Sequence, residues 1–313
     1  MTLIVGHLNQ LLSGYATKGA TNKAAGFIAD TVAPVVPVAN QSDGYVVFGD
    51  EELRLDNAAY KGGAQVNRVS FTESDDSFKC KEFALESAIA WSKMQNADAA
   101  IRLEQRHATG LGAKLRLRRE RAVATLLTGA TFTNTAALAA ADRWNVDTSN
   151  PVKKVREIIA AIRALSGLEP NTLAIGAETW DGLSLHPDIT SRVAGLVAGT
   201  PATLEQAAAA LGIDRVLVSS AIYNTALEGQ TASYSPVWPK TACICYVDPS
   251  AGGDAEGLIT PAQQFVWSGL FAPFSISTYE DETSMSHVLR CYDAVDAKAI
   301  AVNSLYRLTT VVD

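Results

Sequence analysis

The sequence predicts an α+β fold in which a compact α/β unit follows a long hairpin and two helices and is succeeded by a last group of strands. Three observations predict it. Residues 171–247 alternate strand, helix, helix and strand, as NTLAIG, ETWDGLSL, TLEQAAAALG and RVLVSS, with TACICYV as a further strand. Two helical patterns precede that unit, one from Asn96 or Asp98 to about Leu127 and one after Asn150-Pro151. Short β-like runs flank both: YVVF, RVSF and FKCKEF before them, FVWSGLF, FSISTYE and MSHVLRCYDAV after them. A chain of 313 residues is long enough to bury roughly 75% of the surface of its extended form, so it is globular.

Residues 1–45 carry no sustained period and hold the run FIADTVAPVVPVANQSDGYVVF, where Pro34 and Pro37 forbid a helix and spoil a central strand. That composition suits an extended arm, and Phe27, Ile28 and Val35 then need another surface to cover them. Tyr45 to about Trp91 reads as a long β-hairpin, with Lys61-Gly62-Gly63 and Asp75-Asp76 as turn signals. Such a hairpin is marginal alone and needs a partner. The long helix, closed by Gly129, would measure about 45 Å at 1.5 Å per residue. Gly110 and Gly112 each weaken it by about 1 kcal/mol relative to alanine, which points to a kink or a close backbone contact. Leu111, Leu115, Ala122 and Leu126 share one stripe, but Arg118 falls on it while Leu117 and Val123 point elsewhere, so the helix is not simply half buried.

The second helix is better defined: Asn150 caps it, Pro151 opens it, Val152, Val155, Ile159 and Ile162 line one face, and Gly167 ends it. Thr203 and Gln206 form a capping box for the helix that ends at Gly212.

Composition narrows the function. The chain is 48% hydrophobic and only 19% charged, which leans toward extensive burial, including burial between subunits. A net charge of −7 argues against a general nucleic-acid-binding surface without excluding a local basic patch. No apolar run reaches the length of a bilayer span, and MTLIVGHLNQLLSGYATKG has no basic stretch ahead of its apolar residues, which argues against a secretory signal. Cys80, Cys243, Cys245 and Cys291 are too few and too scattered for a disulfide framework.

No motif proposes a reaction. Cys243-Ile244-Cys245 places both thiols on one face of an apolar strand without a second ligand cluster, so its reading is structural. His7, His107, His186 and His287 sit in unrelated contexts. GLGAK at 110–114 lies inside a helix rather than at a strand-to-helix turn, and no G-x-S-x-G elbow is present. Asp75-Asp76 and Glu280-Asp281 are adjacent acids on turns or strand ends. Thus neither a catalytic residue, a metal ligand nor a cofactor site emerges. The less bland feature is KLRLRRERA: Lys114, Arg116, Arg118, Arg119 and Arg121 against one glutamate. It reads equally as a solvated face with internal ion pairs or as a surface for phosphate or a neighbour's carboxylates.

The order of parts, with four phrases, resembles the major capsid proteins of tailed phages with the Hong Kong ninety-seven fold. The phrases are FIADTVAPVVPVANQSDGYVVF, LRLRRERA, LEPNTLAIGAETWDGLSLHPDI and LGIDRVLVSSAIYNTALEGQTAS. The resemblance covers almost the whole chain, and the combination is specific where each phrase alone is not. It implies an N-terminal arm over 1–45, an extended loop over 46–95, a peripheral domain with a spine helix over 96–170, an axial domain over 171–261 and a return to the peripheral domain over 262–313. It implies hexamers and pentamers tiling an icosahedral shell around double-stranded DNA bound without sequence specificity, assembled in the host cytoplasm and resident in the virion, with no cofactor and no membrane.

The spine helix lies toward the inner side of such shells, which gives Lys114, Arg116, Arg118, Arg119 and Arg121 a place facing the lumen or a neighbouring subunit. Only about 26 residues precede FIADTVAPVV, which implies a separate scaffold protein beside the portal, with a decoration protein as an optional partner. The lysine–asparagine cross-link of some members is not carried over: Lys61 and Asn303 lie in suitable regions but in no matching motif, so a non-covalent shell is expected. On this reading the apolar arm is covered by neighbouring chains. The alternatives are an encapsulin-like bacterial nanocompartment shell and, from fold analogy alone, an α/β enzyme with a site near His186, Asp188 and Tyr223.

Overall fold

The computed structural model describes residues 7–21, 26–48, 58–59, 66, 68, 73–96, 100–193, 200–248, 259–269 and 271–313. The described residues begin with a two-residue strand β1 (His7–Leu8) and a helix α1 (Gln10–Ala20), whose first turn is capped by the Asn9 carboxamide accepting from the Leu12 N–H. This departs from the expected extended arm. The segment QLLSGYATKGA lacks a large apolar stripe because it buries Ala16, Gly19 and Ala20, small residues that let its backbone approach another helix closely.

Next come a single-turn helix α2 (Ala29–Val32) and the strand β2 (Val35–Val38). Pro37 is tolerated in β2 because that strand is the edge of its sheet, where a missing N–H costs least. Part of the apolar arm is covered by its own chain: Ile28, Ala29, Val32 and Ala33 are buried among Val123, Ala124, Leu127 and Trp238, while Phe27 and Val35 are half-buried. Strands β3 (Ser42–Phe48) and β4 (Glu73–Lys79) form an antiparallel hairpin, in register from Ser42 opposite Lys79 to Phe48 opposite Glu73, but Asp75-Asp76, expected at a turn, lies inside β4 opposite Val46 and Tyr45. Its base is pinned by Phe78 stacked on Phe265 at 4.4 Å, while Lys61-Gly62-Gly63 at the expected tip lies outside the described residues. The chain then leaves the hairpin as β5 (Lys81–Ala90), followed by α3 (Trp91–Asn96) and the long helix α4 (Ala100–Leu127). Asp98, one of the two expected caps of α4, is outside the described residues.

Helix α4 runs unbroken through both glycines. A Cβ on Gly112 would sit 2.0 Å from the Ala16 carbonyl oxygen, and one on Gly19 would sit 2.1 Å from that of Thr109. Gly110, by contrast, meets nothing. The close backbone contact foreseen at this glycine pair is therefore made at Gly112, and α1 is what makes it. The expected stripe also shifts: Leu111 and Leu115 are buried, but Ala122 is exposed and Val123 takes its place in the core.

Past a short strand β6 (Thr135–Ala137), helix α5 (Pro151–Ser166) has the predicted bounds and ends at Gly167, whose φ of 70° is left-handed. Asn150 makes no side-chain cap; the Asp188 carboxylate accepts the Val152 N–H at 3.1 Å instead. The α/β unit continues with β7 (Thr172–Gly176), α6 (Ala177–Ser184), α7 (Pro187–Thr190), α8 (Leu204–Leu211), β8 (Arg215–Ser219), a β9 (Ile222–Asn224) and β10 (Tyr234–Pro236) ribbon, and β11 (Ala242–Cys245). Both hydrogen bonds of the Thr203–Gln206 capping box are present, at 3.3 and 2.9 Å, and Gly212 ends α8 with φ of 78°. The last strands are β12 (Ala262–Trp267), β13 (Ile276–Asp281), β14 (Ser286–Ala299) and β15 (Leu305–Thr309).

Two sheets organise the molecule. The first runs β1-β13-β14-β12-β2, with β5 also pairing along β14, and α4 packs on it. The second runs β6-β15-β11-β7-β8, mixing a parallel β7/β8 pair with antiparallel β7/β11 and β11/β15 pairs. This order moves pieces of the chain relative to the expected boundaries, β6 with its pairing to β15 among them. Helix α5, placed with the spine helix over 96–170, buries Val152, Val155, Ile159 and Ile162 against Leu173 and Ile175 of β7. Strand β15, placed with the returning chain over 262–313, pairs with β11 and β6 in the α/β unit. Hydrophobicity is local, but the sheet that receives a strand is chosen by distant residues, so none of these moves is readable from the segments themselves. Among the described residues, no helix is long and apolar enough to cross a membrane.

Candidate functional site

The basic run lies on the second half of α4, and 100° per residue fans its side chains round the helix. Arg116 points to the arm: its Nη1 donates to Asp30 Oδ1 at 2.5 Å, its Nη2 lies 3.8 Å from Glu120 Oε2, and its guanidinium covers the Phe27 ring. Arg119 points to the sheet, where it makes a two-pronged ion pair with Asp293 of β14, the Nε arm being 2.7 Å long, over the face of Phe274. Arg116 and Arg119 are 5% and 3% exposed, so these two are consumed by pairs within the chain.

Glu120, the acid among the cations, is the hub. It is fully buried and accepts from the Ile28 N–H at 3.0 Å, the Ala29 N–H at 2.9 Å and the Trp238 indole N–H at 2.8 Å. Its charge thus sits at the first amides of α2, where free N–H groups need an acceptor. Asp30 is shared as well, taking a 2.9 Å bond from the Gln264 carboxamide. The arm is consequently fastened to α4, to the β9–β11 region and to β12 at one point.

The other three cations make no ion pair among the described residues, and two of them face outward. Lys114 and Arg121 are exposed, and Arg121 stacks on Tyr223 of β9 with 4.4 Å to the ring centroid. Arg118 is half-buried over the Phe83 ring of β5, and its Nη1 is buried without a hydrogen-bond partner. Burial, with Arg119 adjacent, pushes the Arg118 guanidinium pKa down, partly offset by Asp293. The run of five is therefore two structural anchors, two exposed cations and the half-buried Arg118, a split set by helical phase. The partners Asp30, Asp293 and Trp238 were not identifiable from the sequence; the lone Glu120 within a cationic run was the available signal.

The residues considered for catalysis are occupied differently. His186 Nδ1 accepts the Asp188 N–H at 3.1 Å, and its Nε2 lies 3.0 Å from both Ser149 Oγ and the Val146 carbonyl, so the ring caps α7 from a buried position. Asp188 caps α5 and pairs with Arg192 at 2.8 Å. Tyr223 belongs to the other core cluster, beneath Arg121. The structure does not assemble the three into a site. Cys243 and Cys245 are fully buried in the layer beneath α4, and burial raises the Cys243 thiol to about 12.

Comparison with known proteins bears on this architecture. No family model matches the sequence. The chain is 27% identical over 248 residues to the major capsid protein of Burkholderia phage BcepMu, an alignment covering 78% of each chain. Its fold matches a phage-related protein from Bordetella bronchiseptica with a TM-score of 0.77, 22% identity and 98% of both chains covered. It also matches the virus-like particle of Pyrococcus furiosus with a TM-score of 0.57 and 10% identity, over 95% of this chain and 97% of the other. A third match, from Microbacterium phage Oxtober96, has a TM-score of 0.59, 10% identity and 90% of both chains covered.

Proposed function

We propose that this chain, a homologue of a phage major capsid protein with the Hong Kong ninety-seven type fold, is the structural subunit from which a phage shell is built. The observation that carries the reading is that fold and sequence relatives match over most of the chain, not over one module. Its finer form is an icosahedral shell of hexamers and pentamers enclosing double-stranded DNA, assembled with a separate scaffold protein and a portal. Two physical features support self-association. The β3–β4 hairpin is a two-stranded ribbon held mainly at its base, which is marginal without a further partner. The β9–β10 ribbon is also two-stranded and exposes Ile222 and Tyr234, beside exposed Leu227.

In this reading Lys114, Arg118 and Arg121 are the members of the basic run left to meet the shell interior or a neighbouring subunit. Arg116 and Arg119 hold the subunit's own arm and sheet in place. No reaction is assigned to the chain.

Negative-stain electron microscopy of the protein expressed with its scaffold tests the assignment. Closed shells or ring-shaped capsomers are expected, and a strictly monomeric protein under every assembly condition would refute it. The likeness to a virus-like particle keeps a protein-packaging shell as the second reading. Nucleic acid in purified particles supports the phage capsid; particles holding only protein cargo support the second reading.

A further inference from the structure

A cavity of about 400 Å³ opens between α4, β5, β12 and β14. Its lining includes Lys81, Phe83, Arg118, Arg119, Gln264 and Asp296. Arg119 is neutralised by Asp293, and Asp296 is engaged by the Lys79 N–H at 3.1 Å and by Lys298 at 4.0 Å. Lys81 and Arg118 are left, and neither has an ion-pair partner among the described residues. The cavity is therefore positively charged on balance. Arg118 is also held rather than loose: Phe83 supports its plane, and its buried Nη1 has no acceptor. A buried donor without a partner costs about 1–3 kcal/mol, and more when it is charged, so an acceptor arriving there recovers that cost.

We propose that this cavity is an oxyanion site in which Arg118 and Lys81 hold a carboxylate or phosphate group. The planar guanidinium presents paired N–H donors that match two oxygens of one oxyanion, and Lys81 adds an exposed charge at the rim. Gln264, fully buried in the lining, has an Oε1 without a partner, so the site also receives a donor. Water entering with the anion supplies it, since a space of this size holds on the order of a dozen waters. The occupant is an acidic side chain of a second copy of this chain, since each copy carries 33 aspartates and glutamates and a net charge of −7; a phosphate of nucleic acid is the competing outcome of the test.

The chemistry is tested first on the unassembled full-length protein, by following its thermal midpoint while inorganic phosphate or acetate replaces chloride at constant ionic strength. The wild type is expected to show a saturable rise. Arg118→Gln is expected to need about tenfold more anion for the same rise, Lys81→Gln less than that, and Arg118→Lys to retain part of the effect. Lys81→Gln is a substitution at an exposed position and keeps the test open if the Arg118 variant folds poorly. Titration curves in Lys81→Gln and Arg118→Gln identical to the wild type overturn the proposal, whether or not shells form. Assembled Arg118→Gln particles then distinguish the sources: less nucleic acid per particle assigns phosphate, and a lower disassembly midpoint at unchanged nucleic-acid content assigns a neighbour's carboxylate.

Discussion

Replacing Gly110 and Gly112 by alanine, one at a time, should change stability in opposite directions, although the two sites are two residues apart on one helix. Alanine is favoured over glycine within a helix by about 1 kcal/mol, and nothing lies within 4 Å of a Cβ built at Gly110. Gly110→Ala should therefore stabilise the chain by about that amount. At Gly112 the same gain meets an obstacle, because the new Cβ would stand 2.0 Å from the Ala16 oxygen, 2.7 Å from its carbonyl carbon and 2.9 Å from its Cα. These are backbone atoms, so no rotamer change relieves the contact, and α1 must move off α4 by about an ångström. Overpacking of that kind costs about 1–3 kcal/mol, and detaching α1 loosens Leu12, Ala16 and Ala20 from Ala108 and Leu115.

The variants should thus differ by about 1–3 kcal/mol, the overpacking cost alone, with Gly112→Ala the less stable. Urea unfolding of the unassembled protein measures the difference as a shift in midpoint at constant slope. Limited proteolysis within 10–20 should accelerate only in Gly112→Ala. Equal shifts of the same sign in both variants would refute the close helix contact.

Glu120→Ala should release the arm, since it leaves the Ile28 and Ala29 N–H groups, the Trp238 indole and one side of Arg116 without their buried acceptor. Loss of one member of such a buried charged network costs about 3–5 kcal/mol, and hydrogen exchange in the peptide spanning 26–33 should rise strongly. Protection left intact there would contradict the assigned role. All four thiols are buried, and burial lifts that of Cys291, like that of Cys243, to about 12, so both stay protonated far above neutral pH. A colourimetric thiol reagent at pH 8 should find no reactive cysteine in the native chain and four after denaturation; a fast-reacting native thiol would contradict the packing.

The elements that the sequence displayed best are those whose stop and start signals are chemical and local. Pro151 and Gly167 bracket α5, Thr203 and Gln206 cap α8, and TACIC is apolar on both faces because β11 is central in its sheet. Helix α1 was hidden for the opposite reason. Apart from Leu12, its contact with α4 is made of backbone and small side chains, and a stripe of Ala and Gly leaves no hydrophobic period to detect. The basic run was legible as a charge cluster but not as two functions, because Asp30 and Asp293 lie 86 and 174 residues from their arginines.

By itself, the sequence determined the order of the parts, the hairpin, the long helix and the α/β unit, since propensity, capping and periodicity act over a few residues. It also determined that Pro34 and Pro37 keep 27–48 out of a sheet interior. Tertiary structure alone decided what covers that apolar arm, which sheet receives β15, and which arginines stay free. Each of these depends on pairings between residues far apart in the chain, where a buried charge must find its counter-charge and an edge strand its neighbour before either is stable.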